Sequence, residues 1–507
     1  MMPSVKHRLE EVVPKKEEQE QEVIESSQLC PRCPKYSDDS KYPKDNWVEC
    51  DHCKQWYHDE CVGTSPQELE QLAKFHCANC INLAGESVKK RISSRKKTKI
   101  DYVALNEGGS NTSVVKGLHP HISRLVNYNH DNGIDLTDGH SYFYQLCGKE
   151  VTLEFMRRSG FDKPIYIPKQ SLEGIEMKMP SELTVSQVAE IIGETKPIEV
   201  MDVLTQDSLK GWSVKEWRDY FNNSDDRDRI HNVISLEVSE SPLDDQITRP
   251  RVVEQLDIID KAWPVDILDK RTSVSKYCLM GVKNSYTDFH LDFAGTQVYY
   301  NVIKGQKKFL LFPPTKSNLR NYVKWSLLDN QNTVFFPDYL RDHARTGRNK
   351  ENNQGFTITL NEGDLMLIPS GWIHAVFTPE DTVVIGGNFL TIMNMETQLE
   401  VVHIEKLTKV PMKFSFPKFQ QSMWFVAKYL MDNDEELSKK EISGCQHLAR
   451  YLSSLLDLTN GCCFDINEKK RIKANIPKKY IGDPQIFVKN FNEFAKGLND
   501  KSDKRDC

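Results

Sequence analysis

Between Tyr277 and Ile385 the chain carries a series of short apolar runs. They include Tyr277-Cys-Leu-Met-Gly-Val, Gln297-Val-Tyr-Tyr-Asn-Val-Ile, Lys308-Phe-Leu-Leu-Phe, Phe356-Thr-Ile-Thr-Leu, Asp364-Leu-Met-Leu-Ile and Thr382-Val-Val-Ile. Each is too short for a core helix, rich in β-branched and aromatic residues, and bounded by Gly, Pro or Asn. Such punctuation predicts an antiparallel barrel or jelly roll. Two motifs interrupt the apolar text with metal-binding side chains. His290 and Asp292 lie in Tyr286-Thr-Asp-Phe-His-Leu-Asp-Phe-Ala-Gly, and His374 lies in Pro369-Ser-Gly-Trp-Ile-His-Ala-Val. In extended chain, residues i and i+2 point to one side. His290 and Asp292 can therefore share one ion, with His374 supplied by a later strand. Two imidazoles and a carboxylate on one face of an octahedron leave positions open, which is the ligand set of a non-haem Fe(II) oxygenase.

Thr287 precedes the first histidine by three residues, and Lys307 follows it by seventeen in Lys304-Gly-Gln-Lys-Lys-Phe-Leu-Leu-Phe. With these neighbours the segment 101–400 resembles the Jumonji-C family of 2-oxoglutarate-dependent demethylases. The resemblance implies a double-stranded β-helix, with its barrel core at about 230–400. It implies that His290, Asp292 and His374 hold Fe(II), and that Thr287 and Lys307 bind the distal carboxylate of 2-oxoglutarate. An ammonium and a hydroxyl are suitable donors for a buried carboxylate. Tyr300 and Asn232 match further cosubstrate contacts of the family. The reaction implied is hydroxylation of an N-methyl carbon by O₂ with 2-oxoglutarate, releasing formaldehyde. A flavin route would want a Gly-x-Gly-x-x-Gly turn, and the sequence has none. A Jumonji-type hydroxylase acting on a protein side chain would use the same cofactors. A reader with an inactive barrel would betray itself by a lost ligand, and all three are present.

Near the N-terminus, Cys30-x₂-Cys33, Cys50-x₂-Cys53, His58-x₂-Cys61 and Cys77-x₂-Cys80 place eight soft ligands within 51 residues. Pairs at this spacing read as structural zinc sites. Seven cysteines, an odd number, fall here, and no secretory signal opens the chain, so a disulfide framework is a poor fit. The order resembles the plant homeodomain finger. That resemblance implies interleaved sites, with Cys30, Cys33, His58 and Cys61 on one Zn²⁺ and Cys50, Cys53, Cys77 and Cys80 on the other. A segment this small has too little core to fold without metal. In fingers that bind trimethyl-lysine, the positions of Trp47 and Trp56 belong to an aromatic cage, with Tyr36 close to a third. Aromatic faces hold a quaternary ammonium by cation–π attraction. The competing reading is that both tryptophans pack the small core. Trp47 follows Asp45 and Asn46, where a core residue is less expected.

The organisation expected is therefore multidomain: a charged disordered segment (1–27), the finger (28–82), a basic linker (83–100), the Jumonji-C domain with flanking helices (101–400), a helical region (401–498) and a polar tail (499–507). Met423-Trp-Phe-Val-Ala-Lys-Tyr-Leu-Met and Leu448-Ala-Arg-Tyr-Leu-Ser-Ser-Leu-Leu carry apolar residues at helical spacing. Their expected partner is the catalytic domain. Ser213 to Phe221 reads as a helix, and Asp329 to Gln354 as a long loop. The linker, with Lys89, Lys90, Arg91, Arg95, Lys96, Lys97 and Lys99, reads as a nuclear import signal, a phosphate contact or a solvated tether. As a flexible coil it spans roughly 25 Å, and its like charges extend it.

A net charge of −6 gives no global field for nonspecific DNA binding, and no apolar stretch is long enough to span a membrane. A finger followed by a Jumonji-C domain resembles the subfamily of reader–eraser histone lysine demethylases. It implies a nuclear enzyme on the histone H3 tail or nucleosome, reading trimethylated lysine four and removing mono- and dimethyl marks from lysines nine and twenty-seven. Fe(II), 2-oxoglutarate, O₂ and two structural Zn²⁺ are the implied cofactors.

Overall fold

The computed structural model describes residues 47–58, 60–64, 68–69, 72–89, 118–128, 142–224, 227–271, 273–343, 354–433, 436–460 and 466–503. Its contacts divide the chain into two compact units, Met1–Gly108 and Gly109–Cys507. The expectations for the segment 1–27, for Cys30, Cys33 and Tyr36, and for the basic residues beyond Lys89 lie outside the described residues.

In the first unit Trp47–Glu49 pairs antiparallel with Trp56–His58, and Leu72–Lys74 with Val88–Lys89. The second pairing carries this unit past the expected boundary at 82. Its buried apolar cluster is Cys50, Tyr57, Phe75, Cys77 and Cys80. Three of these five are cysteines, so little hydrocarbon is removed from water and the cysteines must contribute by another route.

In the second unit, eight strands among the described residues form the barrel: β1 (Tyr277–Gly281), β2 (Tyr286–His290), β3 (Gln297–Lys304), β4 (Lys307–Phe312), β5 (Phe356–Leu360), β6 (Leu365–Ile368), β7 (Ile373–Phe377) and β8 (Thr382–Phe389). The order β6-β3-β8-β1 forms one antiparallel sheet and β2-β7-β4-β5 the other. Every short apolar run expected to be a strand is one. The first sheet continues beyond β1 through His231–Glu237, Pro197–Asp202 and Ser208–Ser213.

Period-two alternation assigns the faces. Val298, Tyr300 and Val302 of β3, Met366 and Ile368 of β6 and Val384 of β8 meet Phe309 and Leu311 of β4 and Phe356, Ile358 and Leu360 of β5 in one cluster. That cluster draws on both sheets and is the barrel interior. Intervening residues face outward, with Leu365 and Leu367 in a second cluster and Leu310 and Phe312 in a third. The outer face of the smaller sheet is covered by Lys316–Ser326 and by Phe336–Asp342. The latter helix lies inside the stretch expected to be a loop. Phe335, Phe336 and Tyr339 explain it, since they bury against the sheet and fix a helix where polar composition suggested none. Ser213 caps Val214–Asn222 as expected.

After the barrel the chain is helical, with Met395–Leu407, Phe419–Asp432, Lys439–Asn460, Ile466–Ala474 and Pro484–Asp503. Their apolar faces, including Trp424, Phe425, Leu448 and Leu452, share a cluster with Ile258, Val274, Leu390 and Ile392. These helices therefore pack on the barrel domain. Gly444 marks the closest approach. A Cβ there would fall inside the van der Waals shell of the Ile392 carbonyl oxygen. Gly to Ala inside a helix ordinarily gains about 1 kcal/mol. At this position the clash should reverse the sign, and Gly444→Ala should lose about 2 kcal/mol. Thermal unfolding checks it, and a stabilised variant would mean that the helix does not dock so closely.

Candidate active site

His290 ends β2, and Asp292 continues in extended conformation with φ −61° and ψ 141°. Leu291, between them, packs against the outer cluster, so His290 and Asp292 face the barrel interior. His374 on β7 is the register partner of His290, and their ring centroids are 4.3 Å apart. Ligand atoms of His290, Asp292 and His374 lie within 4.8 Å of one another. The structure thus brings together three residues read from the sequence as one ligand set.

Both rings are oriented from behind. His290 Nδ1–H donates to the Asp288 carbonyl at 2.8 Å, and His374 Nδ1–H to the Trp372 carbonyl at 2.9 Å. A carbonyl only accepts, so the proton sits on Nδ1 and Nε2 keeps its lone pair. Burial, reinforced for His290 by neighbouring His374, pushes both imidazoles down to about 4. They are neutral, the form that binds a metal. Burial raises Asp292 to about 6, against the attraction of His290 and a hydrogen bond from Asn388. Asn388 also donates to Thr296 Oγ1 at 2.8 Å, which fixes its amide. Beyond Asp292 the chain turns through Ala294 at φ +51°, a left-handed conformation that alanine adopts at a cost of roughly 1–2 kcal/mol. Its amide donates to Glu405 Oε1 at 2.7 Å, so the helix Met395–Leu407 holds the turn that places the carboxylate. A carboxylate and two neutral imidazoles with free Nε2 atoms fit a divalent cation.

A second polar group lines the same interior. Lys307 starts β4 in phase with Phe309 and Leu311. It is 3% exposed, and its Nζ donates to Thr378 Oγ1 at 2.7 Å. Burial alone pushes its ammonium down to about 7, with no carboxylate among the described residues to hold it up. Asn232 Nδ2 donates to Thr287 Oγ1 at 3.3 Å, while Asn232 Oδ1 is buried with no partner. These groups converge on Gly281, where a Cβ would lie 2.7 Å from Lys307 Nζ and 3.1 Å from Asn232 Oδ1. Tyr300 packs its ring against Phe309 at 5.1 Å, and Phe309 lies 6.1 Å from His374. An unpaired ammonium, hydroxyls and an unsatisfied amide fit a carboxylate ligand.

Three features escaped the sequence reading. Thr287 and His290 share the interior although an odd spacing separates them, because the β2–β7 register shifts between them. Tyr286 and Phe289 both belong to the outer cluster, as that bulge requires. Thr378 and Asn388 were also missed. Asn388 had a signal, as an amide inside the wholly buried strand β8. Thr378 had none, since its partner Lys307 is 71 residues away.

In the first unit Cys50, Cys53, Cys77 and Cys80 bring their sulfurs within 4.8 Å of one another. Cys53 and Cys77 are 3.8 Å apart, about the edge of a tetrahedron with Zn–S bonds of about 2.3 Å. His58 Nδ1 and Cys61 Sγ are 3.7 Å apart. Trp56 is 37% exposed, whereas Tyr57 beside it is 2% exposed, so Trp56 is not a core residue.

The unpaired ammonium has a measurable signature. Lys307 must carry its proton to hold a carboxylate, and unliganded it titrates near 7. Affinity for 2-oxoglutarate should therefore be flat below pH 7 and weaken by roughly tenfold per pH unit above it, with proton uptake on binding. Calorimetry at pH 8 in buffers of different ionisation enthalpy checks this. No net proton uptake there would contradict it.

Residues 188–395 match the model of the Cupin-like domain, and residues 393–489 that of the Jumonji helical domain. The chain is 38% identical to "JmjC domain-containing histone demethylation protein 1" of Candida albicans, over 91% of this chain and 96% of that protein. It is 36% identical to the Saccharomyces cerevisiae protein of the same name, over 85% of this chain and 92% of that one. It is 34% identical to "Histone lysine demethylase PHF8" of Danio rerio, over 80% of this chain and 36% of that protein. With a jelly-roll barrel, a His-Asp-His group and a helical region in matching order, this chain belongs to the Jumonji-C family of Fe(II)- and 2-oxoglutarate-dependent oxygenases.

Proposed function

We propose that the chain is a nuclear histone H3 lysine demethylase that removes mono- and dimethyl marks from lysines nine and twenty-seven, brought to the H3 tail by a finger that reads trimethylated lysine four. The observation that carries the catalytic half is one barrel interior holding both a His-Asp-His group and a lysine without an anion. The names of the relatives support the choice of histone methyl-lysine as substrate.

In this reading His290, Asp292 and His374 hold Fe(II), and Thr287, Lys307, Tyr300 and Asn232 hold 2-oxoglutarate. When bound, Fe(II) with 2-oxoglutarate and O₂ supplies the oxidation of an N-methyl carbon, with 2-oxoglutarate leaving as succinate and CO₂. The chain's own residues do the rest. Lys307 neutralises the distal carboxylate of the cosubstrate, and the hydroxyl of Thr287 hydrogen-bonds it. The Asp288 and Trp372 carbonyls keep the His290 and His374 lone pairs aimed inward. Asn388 holds the Asp292 carboxylate, and the apolar wall of Tyr300, Phe309 and Leu311 excludes bulk water. Low local dielectric then strengthens each of these contacts.

The finger would fold around two Zn²⁺, one on Cys50, Cys53, Cys77 and Cys80 and the other on Cys30, Cys33, His58 and Cys61. Trp47, Trp56 and Tyr36 would form the methyl-lysine cage. The exposure of Trp56 supports this, because a ring left in water on a small folded unit is free to take a ligand. The basic residues after Val88 would serve nuclear import or touch nucleosomal phosphate.

His290→Ala removes one metal ligand at the end of a self-supporting strand. It should abolish 2-oxoglutarate-dependent turnover of methylated H3 peptides while leaving circular dichroism and thermal unfolding near those of the parent chain. Full turnover in this variant, or turnover without 2-oxoglutarate, contradicts the assignment. For the finger, Trp56→Ala should weaken binding of a lysine-four-trimethylated H3 peptide by tenfold or more, and of the unmethylated peptide much less, because only the cation needs the ring. Equal losses by calorimetry would mean that the tryptophan serves peptide packing, not a cage.

A further inference from the structure

Another group of metal-ligand side chains lies on the outer side of β2. His119 and His121 flank Pro120 at the start of the helix His121–Val126. Asp288 is the residue at the β2 bulge, on the side of Tyr286, whose hydroxyl donates to Asp288 Oδ1 at 2.8 Å. His119 and His121 are each 2% exposed and Asp288 is 8% exposed. One ligand atom from each lies within 4.8 Å of the others, the same separation that the His290, Asp292 and His374 group meets.

A purely hydrogen-bonded cluster accounts poorly for this arrangement. His121 Nδ1 and Asp288 Oδ1 are 3.4 Å apart. A charge-assisted hydrogen bond would close to about 2.7–2.9 Å. Two ligands on a tetrahedral ion with bonds of about 2.0–2.1 Å stand roughly 3.3 Å apart. His119 Nδ1 accepts from the His121 amide at 3.2 Å.

Charge balance points the same way. Among the described residues no lysine or arginine pairs with Asp288. Its other oxygen accepts from Gln331 Nε2 at 3.1 Å, a neutral donor. A buried anion facing two imidazoles is the setting for a divalent cation, and nitrogen donors select a borderline transition metal over Ca²⁺ or Mg²⁺.

We propose that His119, His121 and Asp288 supply three ligands of a Zn²⁺ site that fastens residues 118–128 to the barrel. The site has no role in oxygen chemistry. His119 stacks on Tyr286 at 4.6 Å and His121 meets Phe335 at 5.2 Å, so aromatic rings wall it in. Its consequence reaches the catalytic centre through one residue, because the Asp288 carbonyl orients His290.

The test is a zinc count on the full chain, which includes the finger. Protein from zinc-supplemented growth is desalted, and zinc per chain is measured by elemental mass spectrometry for the parent and for His119→Ala/His121→Ala. The parent should hold one zinc more than the double variant, since the finger contribution is common to both. Equal contents overturn the proposal. Because the double variant can misfold, a second measurement uses the unaltered chain crystallised with Zn²⁺. Anomalous diffraction at the zinc edge should give a peak bounded by His119, His121 and Asp288. No peak there, with the finger sites occupied, overturns the proposal independently.

Discussion

A lysine ammonium buried inside a β-barrel, with nothing negative among the described residues to pair with, is the constraint on which the rest depends. An isolated buried charge costs several kcal/mol, and a protein usually avoids it by pairing the charge or by losing the proton. Here Lys307 is halfway to the second solution, titrating near 7. The other interior residues form a continuous apolar wall from both sheets, and its burial offsets the cost. The same wall carries the His290, Asp292 and His374 group, itself one negative charge facing two neutral rings. A cation at one position and an anion at the other would repay both deficits together. That pairing of needs is what a cosubstrate binding beside a metal supplies.

The two ends of this arrangement are braced from outside the barrel. On one side the helix Met395–Leu407 captures the Ala294 amide and so holds the turn after Asp292. That helix belongs to a bundle packed against Leu390 and Ile392, which follow the strand bearing Asn388. On the other side the β2 bulge gives Asp288 two duties. Its carbonyl faces His290, and its carboxylate faces His119, His121, Tyr286 and Gln331. Residues far from the barrel interior thereby set the positions of His290 and Asp292.

Much of this was legible in the sequence, for reasons that are local. Strand runs announce themselves by period and punctuation, and His290 with Asp292 by the i, i+2 rule. Lys307 was found by its place seventeen residues after His290 and by the family resemblance. What was not legible is non-local. The odd spacing between Thr287 and His290 makes sense only once a bulge shifts the register. Gly281 looks like an ordinary strand glycine until Lys307 and Asn232 arrive from other strands to fill the space that a Cβ would take. Phe336–Asp342 was hidden in a polar stretch because three aromatic anchors, not composition, decide that helix.

The central claim is that this barrel oxidises the methyl carbon of a methylated lysine rather than a carbon of the side chain itself. Mass spectrometry of methylated H3 peptides, run with formaldehyde and succinate assays on the same reactions, tests it most directly. The account predicts product one methylene lighter than substrate, with formaldehyde and succinate formed in equal amounts. A product one oxygen heavier, with succinate but no formaldehyde, would contradict it and make the enzyme a hydroxylase.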